Sequence, residues 1–137
     1  MSEARAIVVA HGDMAKGLID AVRRISGAPP EALVGVSNEG RSPEALREAI
    51  LGVLGDDPTV VFTDLGAGSC TLAARLSCED RGRVAVLTGV NLPMLLDFVF
   101  HRGLPLDELT ERLVEKGRSG VRLLTAPRRD GDPPLPG

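Results

Sequence analysis

The stretch TVVFTDLGAGSCTLAARL, Thr59 to Leu76, decides the fold. Its first five residues are β-branched or aromatic, the composition of a buried strand. Asp64 to Ser69 carries two glycines and a serine and reads as a turn. Beyond it, Leu72, Ala73 and Leu76 recur at helical spacing. A strand that runs through a tight turn into a helix must cross over before the chain can pair again. This segment therefore points to parallel strands.

The same order repeats on both sides. Arg5 to Ala10 (RAIVVA) reads as a buried strand. From Ala15, the positions Leu18, Ile19, Val22 and Ile25 mark a helix ended by Gly27 and Pro29-Pro30. Ala32 to Val36 is a second strand. Ser42 and Pro43 then read as the N-cap and first residue of a helix with an apolar face of Leu46, Ile50, Val53 and Leu54, which Gly55 terminates. Val84 to Leu87 is a fourth strand. Asn91 and Pro93 open a helix closed by Gly103, and Leu106, Leu109 and Leu113 form one face of a last helix ending at Gly117. Val121 to Leu124 is expected to form a short final strand. The expected fold class is α/β: a parallel sheet of about four strands, helices on both faces, right-handed crossovers. Residues 1–126 make one domain. Residues 127–137, rich in Pro, Gly and charge, are expected to be a disordered tail.

Composition removes several function classes. Aromatic residues are 2% of the 137, with no Trp or Tyr, and the formal net charge is -3. Stacking platforms for bases or sugars are therefore scarce, and there is no basic field for a phosphate backbone, so nucleic acid is not an expected partner. The N-terminal apolar run is too short for a signal h-region, and no stretch approaches the roughly 18 apolar residues of a membrane span. Direct membrane insertion is not expected. Cys70 and Cys78, eight positions apart on one helix, would lie about 12 Å apart. That is too far for a disulfide, and reduced cysteines suit a cytoplasmic protein.

In open parallel sheets, ligands sit beyond the carboxyl ends of the strands. There the sequence places His11-Gly12 after the first strand, Asp64 and the Gly66-Ala67-Gly68-Ser69 turn after the third, and Thr88-Gly89-Val90-Asn91 after the fourth. A neutral imidazole with a free Nε2 lone pair is a good nucleophile toward phosphorus, and its N–P bond is labile enough to pass the group on. It needs a partner on Nδ1, which Asp64 can supply. Gly12, Gly68 and Ser69 would then offer amides and a hydroxyl to bound phosphate. Blander readings stand beside these. His11 can be a structural histidine, and Asp64 an N-cap for the next helix. Thr88-Gly89 can be a plain turn, Asn91-Leu92-Pro93 a helix start, and Cys70 a small filler. His101, in the last turn of a helix, suits its negative end.

Three segments in order carry a family resemblance: HGDMAKGL (His11 to Leu18), TDLGAGSCT (Thr63 to Thr71) and TGVNLPMLLDF (Thr88 to Phe98). Together they resemble the mannose-type enzyme IIA components of the phosphoenolpyruvate-dependent sugar phosphotransferase system, up to about Leu124. The resemblance implies a phosphocarrier that accepts a phosphoryl group on His11 from HPr and passes it to a IIB component during sugar uptake. It makes Asp64 the orienting carboxylate and Gly12, Gly68 and Ser69 phosphate contacts. It also implies a homodimer, the last strand exchanged between subunits and antiparallel at the sheet edge. No cofactor and no metal are called for. The chain departs from the family's Gly-Gly-Ser-Pro turn with Ala67-Gly68-Ser69-Cys70, which removes a rigid proline and one glycine.

Alternatives of other classes remain at this point. One is a regulator that binds a non-transport partner according to phosphorylation state. Another is the phosphoryl-donor subunit of a dihydroxyacetone kinase, disfavoured by His11-Gly12 where those resemble His-Ser. A hydrolase using Ser69 with His11 and Asp64 is disfavoured because Ser69 lacks a G-x-S-x-G setting.

Overall fold

Burial decides which of these segments become strands. In the computed structural model, which describes residues 2–79 and 81–136, Ala6 to Ala10 and Val60 to Thr63 are almost inaccessible to solvent. These runs form the two central strands, β1 (Arg5–Ala10) and, in chain order, β3 (Thr59–Thr63); β2 (Leu33–Ser37) and β4 (Val84–Thr88) flank them. The order is β2-β1-β3-β4 and every pairing is parallel. The strands match the expected ones to within a residue at either end.

Five helices cover the sheet: α1 (Met14–Ser26), α2 (Pro43–Val53), α3 (Ser69–Cys78), α4 (Leu92–Phe100) and α5 (Leu106–Ser119). Alternate residues of β1 point to opposite faces, as strand pleating requires. Ala6, Val8 and Ala10 join α1, α4 and α5 in one core, where Phe62 meets Phe98 edge to face at 5.8 Å. Ile7 and Val9 join α2 and α3 in the other. Local chemistry sets the ends. Ser42 Oγ accepts from Ala45 N–H with Pro43 behind it, and Gly27 closes α1 at a φ of +67°.

Two expected apolar faces turn out differently. α3 buries Cys70, Ala73, Ala74 and Ser77 and leaves Leu72 and Leu76 exposed. Small side chains at that spacing let the helix lie close to the sheet and to α2, so the large residues turn outward. Ile25, in the last turn of α1, is likewise exposed.

The C-terminal strand is expected to pair with a second subunit. Val121 to Leu124 forms no strand in the single chain, and Val121, Leu123 and Leu124 are 82%, 78% and 89% exposed. A strand exists only through its ladder, and past α5 this segment pairs with no strand among the described residues. From Pro127 to Pro136 the chain is exposed and forms neither helix nor strand. Gly137, the last residue of the expected tail, lies outside the described residues.

Candidate functional site

β1 and β3 are adjacent, parallel and in register, Val9 beside Thr63. The residues that follow them therefore leave the sheet at the same edge. From β1 the chain crosses over to β2 on one side, and beyond β3 it crosses to β4 on the other. The gap between β1 and β3 is thus the switch point at which such folds open a crevice. His11 and Asp64, 53 positions apart in sequence, meet there.

His11 Nδ1 lies 2.6 Å from Asp64 Oδ2, and the same oxygen accepts the His11 backbone N–H at 2.9 Å. Asp64 Oδ1 accepts the Leu65 N–H at 3.0 Å. The carboxylate is nearly enclosed, its side chain 7% exposed, whereas His11 is 44% exposed. A carboxylate at Nδ1 acts as acceptor, which places the ring proton on Nδ1 and turns the Nε2 lone pair outward. Burial pushes the Asp64 carboxyl upward, but the His11 backbone N–H, ring hydrogen bond and ring charge outweigh it and hold it below its usual value. Asp64 does not cap α3. The N-cap position is Gly68, at a φ of +108°, and no side chain caps that helix.

The glycine turn is pinned from beneath. Thr71 Oγ1 reaches both Thr63 Oγ1 and the Leu65 carbonyl, tying the start of α3 to the end of β3. This brings the first turn of α3 beside the histidine: Cys70 Sγ is 3.7 Å from His11 Nδ1. Cys70 is buried, and its thiol is pushed up by burial and by the Asp64 charge, with Ser69 pulling the other way. Gly12, at a φ of +55°, is held on the opposite side. Its N–H donates to Asn38 Oδ1 at 3.2 Å, and its carbonyl accepts from Ser37 Oγ at 2.8 Å. The Gly12 amide expected to face phosphate is thus engaged by Asn38. No motif in the sequence marks Ser37 and Asn38, and the available signal is that polar residues close the strand beside His11.

The Thr88 to Phe98 segment plays a different part. Asn91 Oδ1 accepts from Met94 N–H at 3.1 Å and caps α4, while its Nδ2 donates to the Gly117 carbonyl at 2.9 Å. Its place is structural, a clamp between the start of α4 and the end of α5. His101 closes α4 with Nδ1 2.8 Å from the Asp97 carbonyl, away from the His11 pair.

The fold is a parallel α/β sheet with helices on both faces, and at its switch point a histidine meets a carboxylate. The family described as PTS system fructose IIA component, EIIA-man, matches residues 5–116, and the chain belongs to it. It takes part in sugar phosphotransfer as a component of the phosphotransferase system. Among solved structures, the phosphotransferase system component EIIA from Streptococcus agalactiae is 26% identical. That alignment covers 87% of this chain and 95% of the other, with a TM-score of 0.80. The mannose/sorbose-specific IIA subunit from Enterococcus faecalis is 23% identical over 93% and 99%, also at 0.80. A sigma-54 interaction domain protein from Enterococcus faecalis shares the fold at 15% identity over 87% and 93%, TM-score 0.70. No helix among the described residues is long and apolar enough to cross a membrane.

Proposed function

We propose that the chain is a cytoplasmic phosphocarrier in which His11 Nε2 receives a phosphoryl group from the phosphohistidine of HPr and passes it to a IIB component. The observation that supports this most is the 2.6 Å contact between His11 Nδ1 and the enclosed Asp64 carboxylate. As the Nε2–P bond forms and the donor N–P bond breaks, the ring becomes cationic while keeping its Nδ1 proton. Asp64 then lies opposite that charge. On transfer to IIB the Nε2–P bond breaks and the ring returns to neutrality. The uncapped N-terminus of α3, with the Gly68 and Ser69 amides and the Ser69 hydroxyl, is suited to the phosphoryl oxygens. Gly12 joins them only by exchanging Asn38 for phosphate.

A two-fold dimer belongs to the same reading. Among the described residues β4 pairs only with β3, so its other edge is open, and the exposed apolar Val121 to Leu124 is of a kind that pairs with such an edge. A second reading, a regulator that answers to phosphorylation state, draws support from the shared fold of the sigma-54 interaction domain protein.

The test is phosphorylation by labelled phosphoenolpyruvate with enzyme I and HPr. His11→Ala is expected to abolish incorporation, and His101→Ala to leave it intact. Incorporation that survives in the His11 variant would refute the assignment.

A further inference from the structure

The tertiary fold assembles three unlike metal-ligating atoms that the sequence holds apart. His11 Nδ1, an Asp64 carboxylate oxygen and Cys70 Sγ all lie within 4.8 Å of one another. A zinc ion with tetrahedral angles sets its nitrogen and sulfur ligands about 3.6 Å apart and its nitrogen and oxygen ligands about 3.4 Å apart. The Sγ–Nδ1 separation is already 3.7 Å. The Nδ1–Oδ2 separation is 2.6 Å and must widen by less than about 1 Å, a movement open to the half-exposed His11 ring.

We propose that His11, Asp64 and Cys70 bind a zinc-like divalent transition metal ion, and that this binding switches off His11 as a phosphoacceptor. The ligand set selects the metal class. Thiolate and imidazole favour zinc and its neighbours, whereas magnesium and calcium take oxygen ligands. Three protein ligands would leave a fourth position for water. Burial and the Asp64 charge push the Cys70 thiol up. A divalent ion at this spot reverses that balance and displaces the proton.

The switch is a change of tautomer. Before binding, the ring carries its proton on Nδ1 and the thiol carries its own. Afterwards Nδ1 and the thiolate hold the metal, the ring proton sits on Nε2, and one proton has left for solvent. Nε2 then has no lone pair to offer phosphorus. The inhibitory step rests on the phosphocarrier reading, while the metal site itself does not.

The full-length chain, stripped of metal, is titrated with Co2+ and followed by absorption. The expected result is a thiolate-to-cobalt charge-transfer band that saturates at one ion per chain and is displaced by Zn2+. It should be lost in Cys70→Ala and kept in Cys78→Ala. Transfer from pre-phosphorylated HPr is then timed with and without Zn2+ for each protein. Wild-type transfer should fall about tenfold at free Zn2+ about ten times its Kd, reversibly with chelator. In Cys70→Ala, the ratio of rates with and without Zn2+ should stay near one. A wild-type spectrum without the thiolate band overturns the site. Equal slowing in Cys70→Ala, or a band without slowing, overturns the switch. If metal-free protein takes no phosphoryl group at all, the carrier reading fails, and the cobalt spectrum still decides the site.

Discussion

Replacing Asp64 by asparagine keeps the size and shape of the side chain and removes one oxygen acceptor and the charge. The structure shows why that is costly. Oδ2 accepts both the His11 backbone N–H, at 2.9 Å, and the ring at Nδ1, at 2.6 Å, while Oδ1 accepts the Leu65 N–H at 3.0 Å. An amide has only one acceptor oxygen. Turned toward His11, it sets its NH2 against the Leu65 N–H, an unmet donor worth roughly 1–3 kcal/mol. Turned toward Leu65, it sets its NH2 against the His11 backbone N–H and drives the ring proton to Nε2, where the lone pair is needed. In neither orientation would a negative charge face the ring in the proposed phosphohistidine. Losses of this orienting kind are about 10²–10⁴-fold in rate, or roughly 3–5 kcal/mol in the barrier. The assay is rapid-quench transfer from phosphorylated HPr, with urea denaturation to show that the variant is folded. Equal rates in wild type and Asp64→Asn would refute the orienting role, since no capping role remains to account for the carboxylate.

Two further predictions concern the scaffold and assembly. Gly120→Ala should destabilise the chain by about 1–3 kcal/mol in urea unfolding, because a Cβ there would lie 2.8 Å from Pro93 Cγ and 3.1 Å from Pro93 Cβ, and a proline ring cannot swing aside; an unchanged midpoint would show that the seam between α4 and α5 is slack. Removing the chain from Val121 onward should convert a dimer into monomer or insoluble protein, while removal from Pro127 onward should change little. Light scattering on both truncations decides this, and a dimer that survives loss of Val121 to Leu124 would end the strand-exchange idea.

Local chemistry made the fold legible in the sequence. The β-branched runs at Arg5 to Ala10 and Thr59 to Thr63, the Ser42-Pro43 start and the Gly27 stop act within a few residues of themselves. Four parallel strands and five helices follow from such signals, and chain topology then sends His11 and Asp64 to the same edge. Facing and pairing were not legible in that way. Leu72 and Leu76 have helical spacing but point to solvent, because the close packing of α3 admits only small side chains. Val121 to Leu124 has strand composition but no ladder in a single chain. Asn91 at the start of α4 meets Gly117, Asn38 meets Gly12, and Cys70 meets His11 only once the helices are seated. The sequence by itself determined the elements, their parallel order and the edge that carries the histidine, since propensity, caps and periodicity are written in neighbouring residues. Only the tertiary structure decided which atoms touch His11, because contacts between residues 53 to 59 positions apart depend on how closely helices and strands pack, and no local pattern encodes that distance.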